Sequence, residues 1–194
     1  MQAAFIRKYG GNDVIKIGDL PKPPIGPHDL LVQIKAASVN PIDFKIRDGQ
    51  TKLMLPYKFP LILGNDCAGV VVERGASVTR FKPGDEIFAR LEKDRLGAFA
   101  EYAVMHESVA AVKPRRLSFV EAASIPLVGL TSWQALFEVA ALKSDHKILI
   151  HAGSGGVGTF AIQLAKHLGA TVATTVGERN LALVQRLGAG VIID

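Results

Sequence analysis

Gly153, Gly155 and Gly158 fall on G-x-G-x-x-G spacing within Lys147-Ile148-Leu149-Ile150-His151-Ala152-Gly153-Ser154-Gly155-Gly156-Val157-Gly158. Where a buried strand runs into such a turn and a helix leaves it, the chemistry is diphosphate binding. The first glycine permits the tight turn, the second lets backbone approach the anion, and the third lets the helix pack closely on the strand. The helix N-terminus adds free N–H groups and a positive dipole. Gly153, Ser154, Gly155, Gly156, Val157 and Gly158 are therefore the candidate dinucleotide-binding residues. The plainer alternative is a glycine-rich turn that binds nothing. The context argues against it: an apolar run precedes the motif, and Val157, Phe160, Ala161, Leu164, Ala165 and Leu168 follow on one helical face.

The elements around the turn continue an α/β pattern. Thr171 to Val176 reads as a second strand, Leu181 to Leu187 as a second helix ended by Gly188, and Val191 to Ile193 as the start of a third strand. Upstream, from Ala3 to about Val112, the pattern is one of short strands and turns. Leu30, Val32, Ile34 and Ala36 alternate as in a half-buried strand. Asn40 and Pro41 read as N-cap and first residue of a short helix stopped by Gly49. Gly69 to Glu73, Glu86 to Ala89 and Ala98 to Met105 read as further strands, with a turn at Lys82-Pro83-Gly84-Asp85. Many short strands joined by Gly and Pro turns imply a small barrel or sandwich. At Ser118 the period turns helical: Ser118 and Glu121 have capping-box spacing, and Pro126 divides the apolar run so that a second helix carries Thr131, Trp133, Leu136 and Phe137. The predicted organisation is a β-rich domain over 1–117, then hinge helices and a partial α/β dinucleotide fold over 118–194.

Composition sets bounds. The chain has 194 residues, 48% hydrophobic, enough for one large or two small cores. One cysteine, Cys67, excludes an internal disulfide and a multi-cysteine zinc site and suits a reducing compartment. The first twelve residues turn polar too soon for a signal peptide and no run is long enough to span a bilayer, so the expected location is cytoplasmic, with no membrane partner. A formal charge of +5 suits an anionic ligand, but the basic residues are scattered, so no nucleic-acid partner is expected.

Five stretches together resemble the medium-chain dehydrogenase/reductase superfamily, specifically its zinc-free quinone oxidoreductase and enone reductase branch. They are Ser38-Val39-Asn40-Pro41-Ile42-Asp43, Leu63-Gly64-Asn65-Asp66-Cys67-Ala68-Gly69, Phe81 to Asp85, Gly129-Leu130-Thr131-Ser132-Trp133, and His151 to Gly158. The resemblance implies a GroES-like barrel domain that is catalytic, followed by a Rossmann domain binding NADP. A complete Rossmann domain has two mononucleotide halves, whereas this chain reaches Asp194 around the third strand. The expectation is a C-terminally truncated chain lacking the second half, with weak or no turnover of its own. Family dimers join through the Rossmann sheet edge, so a homodimer is one implied state.

The resemblance also assigns site residues. Zinc alcohol dehydrogenases of the superfamily place Cys, His and Cys where this chain has Asn40, Asn65 and Pro126, and amides and a proline do not make a zinc site. No catalytic metal is expected. The chemistry left is unassisted hydride transfer to a quinone or an α,β-unsaturated carbonyl, driven by orientation and by stabilisation of the developing enolate. Asn40 is implied at the cleft, to hold the nicotinamide carboxamide or a substrate carbonyl; its other reading is the N-cap. Asp43 joins the catalytic candidates, although a carboxylate in a first helical turn is favoured by the dipole anyway. Lys45 stands where plant-type enone reductases carry lysine, and its ammonium can stabilise an enolate oxygen or donate a proton; otherwise it is a solvated helix lysine. Thr131 is implied to contact the cofactor, or else to satisfy backbone groups. Asn65 and Asp66 face the cleft or serve a turn, Cys67 is a small buried hydrophobe, and His151 a packed residue.

The choice of nicotinamide cofactor has a physical argument. NAD enzymes usually place Asp or Glu at the end of the second strand, and here that strand ends Thr174-Thr175-Val176-Gly177. A carboxylate there would oppose a 2′-phosphate by about 4 kcal/mol for unit charges 4 Å apart at an effective dielectric near 20. Thr175, Arg179 and Asn180 are the candidate phosphate partners, with Glu178 nearby as a counterargument. The expected function is NADPH-dependent reduction of a small quinone or enone. The alternative is a non-catalytic fragment or nucleotide-binding interaction module, told apart by tight NADPH binding without turnover.

Overall fold

Leu30, Leu31 and Val32 are all buried, so the alternation expected of a half-buried strand fails in the first part of β3 (Asp29–Ser38). Its position explains why. β3 is flanked by β5 (Asp66–Arg74) and β7 (Tyr102–His106) in a five-stranded antiparallel sheet of order β7-β3-β5-β6-β8. The remaining members are β6 (Glu86–Arg90) and β8 (Ala110–Val112). A computed structural model describes residues 1–194.

The other strands of this region form a three-stranded antiparallel sheet of order β2-β1-β4: β1 (Gln2–Ile6), β2 (Lys16–Asp19) and β4 (Leu61–Ile62). A bridge between Ala3 and Ala100 ties β1 to the segment before β7. Helix α1 (Pro41–Arg47) starts from Asn40 in extended backbone with Pro41 at its first position, where the missing N–H costs nothing. Gly49, at φ 79°, follows its end, a conformation glycine adopts without strain.

The chain divides into two compact units, Met1–Pro126 and Leu127–Asp194, whereas the sequence pattern places the boundary between 117 and 118. Helix α2 (Phe119–Ala123) accounts for the difference. Its Ala122 and Ala123 are buried against Ala68 of β5, so α2 belongs with the strands before it. The capping box read from Ser118 and Glu121 is present: the Ser118 hydroxyl accepts the Glu121 N–H at 3.2 Å and the Glu121 carboxylate accepts the Ser118 N–H at 2.8 Å.

The core of the first unit includes Leu30, Val32, Cys67, Val71, Ile87, Leu91 and Met105. Cys67 is fully buried, and that burial pushes its thiol up to about 12, with Asp66 adding in the same direction. Since the thiolate is the reactive form, a thiol reagent at pH 8 is expected to leave the folded protein unlabelled and to modify one sulfur per chain once denaturant is added. Rapid labelling without denaturant would contradict this burial.

The second unit runs through α3 (Pro126–Trp133), which continues into a π-helical turn over Gln134–Val139. Then come β9 (Lys147–Ile150), α4 (Gly156–Leu168), β10 (Thr171–Thr175), α5 (Leu181–Leu187) and β11 (Val191–Ile193). The three strands are parallel in the order β11-β10-β9, joined by the helical crossovers that parallel neighbours need. The buried face of α4 carries Gly158, Ala161, Ile162 and Ala165. Ile162, absent from the sequence-derived stripe, is its most completely covered large side chain, while Val157 is 39% exposed. Burying an Ile side chain contributes about 1.5–3 kcal/mol, so Ile162 fixes the helix rotation.

Candidate functional site

The glycine turn of the second unit sits at the junction that its spacing predicts, between β9 and α4, but its strain falls on a different residue. Ala152, not Gly153, takes the left-handed conformation, with φ 54°. Gly153 is required for space: a Cβ there would collide with the Thr174 hydroxyl and lie 2.9 Å from Ile162 Cδ1. Gly158 is required for packing, since its Cβ would run into the Ala152 carbonyl oxygen and stand 2.8 Å from Gly153 Cα. Gly155 differs. A Cβ there meets only the Ala152 oxygen, at 3.3 Å, so its other side is open.

Gly155 is also the N-cap of α4, and no side chain caps that helix end. The first N–H groups of a helix have no partner within it, so the turn presents donors and positive dipole to an anion. Beside it lies an open cleft of about 490 Å³ lined by His151, Ala152, Ser154, Thr175, Val176 and Gly177, with Asp194 as its one carboxylate. A glycine cradle, an uncapped helix N-terminus and a neighbouring cleft fit a dinucleotide diphosphate. Gly153, Ser154, Gly155, Gly156, Val157 and Gly158 would hold it.

The candidate phosphate partners divide. The Thr175 hydroxyl accepts the Ala152 N–H at 3.0 Å and lies 3.2 Å from His151 Nδ1, so it braces the turn as well as lining the cleft. The Asn180 amide donates to the Ser154 hydroxyl at 3.3 Å, linking the turn before α5 to the glycine turn. Arg179 is exposed and is not among the cleft lining. His151 is exposed at the cleft, not packed as expected from its place at a strand end. The Thr131 hydroxyl donates to the Leu127 carbonyl one turn back at 2.7 Å.

Ser132 was not a sequence candidate, yet it is fully buried, and its hydroxyl lies 2.8 Å from the Val128 carbonyl and 3.1 Å from the Val157 carbonyl. It thus ties α3 to the first turn of α4. Thr174, also fully buried, donates to the Ile150 carbonyl at 2.6 Å and fills the space that Gly153 leaves. Neither is signalled by spacing, because each depends on which strand or helix lies alongside.

The first unit gathers a buried polar cluster at the start of α1. The Asn40 amide donates to Asp66 Oδ2 and to the Ser38 hydroxyl, both at 3.0 Å, and Ser38 Oγ lies 3.2 Å from the same Asp66 oxygen. Asp43 Oδ2 accepts the Asn40 N–H at 2.7 Å and its Oδ1 accepts the Asn65 amide at 2.6 Å. Asn40, Asp43, Asn65 and Asp66 are all buried. Burial pushes the Asp43 carboxyl above its ordinary value, outweighing the lowering by the Asn40 and Asn65 donors. β3 and β5 bring the cluster together, since Ser38 pairs with Asp66 in register. Lys45 stands apart: it is exposed on α1, and residues two apart on a helix do not face each other.

The fold and the site define a class. Residues 26–115 match the alcohol dehydrogenase GroES-like domain, and the parallel unit that follows is of Rossmann type. The chain is similar to quinone oxidoreductases of the medium-chain dehydrogenase/reductase superfamily. Within it, the chain is 44% identical over 190 residues to a chloroplastic quinone-oxidoreductase homolog of Spinacia oleracea, covering 95% of this chain and 58% of that protein. It is 39% identical to the mitochondrial NAD(P)H oxidoreductase RTN4IP1 of Homo sapiens, over all of this chain and 54% of the relative. The quinone oxidoreductase of Escherichia coli, solved in complex with NADPH, superposes with a TM-score of 0.89 at 32% identity, over all of this chain and 58% of that one. The chain thus spans somewhat more than half the length of these relatives. No helix is long and apolar enough to cross a membrane.

Proposed function

We propose that the chain carries the catalytic domain and part of the cofactor domain of a metal-free, NADPH-dependent reductase of quinones or α,β-unsaturated carbonyls. The observation that carries this reading is the uncapped, glycine-lined N-terminus of α4 beside an open cleft. The similarity to quinone oxidoreductases supports it. When bound, the nicotinamide supplies the hydride.

The protein's own residues have four tasks in this reading. The turn from Gly153 to Gly158 binds the diphosphate. The cleft beside Thr175 accepts the adenosine end; Asp194 is in its lining, but β10 itself ends without the carboxylate that NAD enzymes usually place there, which favours NADPH over NADH. Asn40, whose amide N–H groups are taken by Ser38 and Asp66, would accept the nicotinamide carboxamide through its amide oxygen, and Asp43 is a positioning residue whose carboxylate fixes both Asn40 and Asn65. Lys45 stabilises the developing enolate oxygen or supplies the proton that follows.

The metal-free part rests on donor chemistry. At the places that resemble zinc-ligand positions stand Asn40, Asn65 and Pro126, and the two amides point their nitrogens at Asp66 and Asp43. A catalytic zinc takes about three protein ligands, usually thiolate, imidazole or carboxylate, and two neutral amides and a proline do not supply them. The completely buried single thiol also suits a reducing compartment, in keeping with a cytoplasmic location.

The test is loss of NADPH absorbance with 1,4-benzoquinone or an enone as acceptor. A slow, acceptor-dependent oxidation is expected, and Lys45→Ala is expected to lower kcat with the enone about tenfold or more, within the usual range for a general acid. NADPH binding without oxidation by either acceptor would favour the non-catalytic module, and unchanged enone kinetics in Lys45→Ala would remove the lysine from the mechanism.

A further inference from the structure

A second cavity, of about 280 Å³, lies wholly within the first unit, near the lower limit of the roughly 300–1,000 Å³ common for small-molecule pockets. Ile42 and Ile46 of α1 and Leu55 supply an apolar wall, with the Tyr57 ring and the buried Asn65 beside it. Tyr57 is held in place, its hydroxyl donating to the Lys93 carbonyl at 2.7 Å. The charged side chains lining the cavity are Arg90 and Lys93, both cationic, and no carboxylate shares the lining.

Arg90 is the informative one. It ends β6 and is half-buried, yet its guanidinium makes no salt bridge, unlike Arg95, which grips Asp29 at 2.8 Å, or Arg47, which grips Asp48. Asp66 faces Arg90 in register across the strands, with one of its oxygens engaged by Ser38 and Asn40, and Arg90 lines the cavity beside it. A guanidinium at an apolar pocket offers a planar fork of donors suited to a carboxylate or another delocalised oxyanion. The volume and the wall suit one or two fused rings.

We propose that this pocket binds an aromatic or quinonoid acid, its rings against Ile42, Ile46 and Leu55 and its anionic oxygens on Arg90. Naming such an acid as the substrate rests on the reductase reading; the binding site itself does not. The reductase would then prefer quinones or enones that bear an acidic group over neutral ones of equal size.

The experiment is calorimetric titration of the chain with naphthalene-2-carboxylate and its neutral counterpart naphthalene-2-carboxamide, neither being a quinone or an enone and with no nicotinamide present. The acid is expected to bind at least tenfold more tightly than the amide, Arg90→Gln to reduce that preference to within twofold, and Arg90→Lys to keep part of it. Cys67 remaining unreactive toward a thiol reagent verifies that each variant is folded. Equal affinities for acid and amide, no binding of either, or a preference that survives Arg90→Gln in a folded variant would each overturn the proposal. Arg90-dependent binding of the acid, together with no reduction of any quinone or enone, would leave the pocket standing and defeat the reductase reading instead.

Discussion

Gly155→Ala is expected to lower NADPH affinity at least tenfold while leaving the melting temperature close to that of the parent, and Gly158→Ala to lower both. The difference follows from what each methyl group meets. At Gly155 it touches only the Ala152 carbonyl oxygen, at 3.3 Å, and the backbone there is extended, at φ −77°, so a shift of a few tenths of an ångström accommodates it. The methyl then occupies the side from which a diphosphate approaches the N–H groups of α4. A tenfold loss corresponds to about 1.4 kcal/mol. At Gly158 the methyl meets backbone of the turn itself, including Gly153 Cα at 2.8 Å, and backbone cannot rotate aside. Overpacking of this kind costs about 1–3 kcal/mol, and it moves the turn that is to hold the ligand. Calorimetric titration with NADPH and thermal melts of both variants decide the matter. Full NADPH affinity in Gly155→Ala would mean that the diphosphate does not lie on this turn.

Asp43→Ala is expected to destabilise the first unit by about 2–4 kcal/mol, because two buried donors, the Asn40 N–H and the Asn65 amide, lose their acceptor at once. Denaturant unfolding followed through Cys67 reactivity reports on this unit. A loss below about 0.5 kcal/mol, the scale of an ordinary surface change, would show that the cluster is not held by this carboxylate. The pH dependence has a definite sign. Asp43 binds its proton more tightly in the folded chain than its ordinary value of 3.8 implies, so above that value the folded state carries more proton than the unfolded state. Stability contributed by this group is therefore full below the ordinary value and lost as pH rises through the raised folded value. Measured against Asp43→Asn, which cannot titrate, the parent is expected to lose relative stability over that rise. A difference independent of pH would contradict the shift.

Much of this architecture is written in local signals. The strand-turn-helix around Gly153 to Gly158, the helix start at Asn40-Pro41 and the capping box of Ser118 with Glu121 each depend on residues within a few positions of one another, and each is present. What the sequence leaves unread depends on pairing across distance. β2, short and edge-lying with Ile17 exposed, carries no clear pattern. The resemblance implies a cleft role for Asn65 and Asp66, but nothing in the sequence tells that Asn65 holds Asp43, or that Ser38 and Asp66 meet through the register of β3 and β5. Ser132 and Ile162 were hidden for the same reason: the partner of the first and the burial of the second are set by how α3 and α4 pack, not by periodicity. The positive φ of Ala152 lies beyond pattern reading altogether, since the glycine next to it draws the expectation of strain.

The central claim is that the turn between β9 and α4 holds a nicotinamide dinucleotide and that β10, ending in Thr175-Val176-Gly177 with no carboxylate of its own, favours a 2′-phosphate even with Asp194 in the cleft lining. Calorimetric dissociation constants for NADPH and NADH, measured side by side on this chain at one salt concentration, test it most directly. NADPH is expected to bind at least tenfold more tightly, with the difference shrinking as salt rises. No binding of either nucleotide, or equal binding of both, would contradict the account.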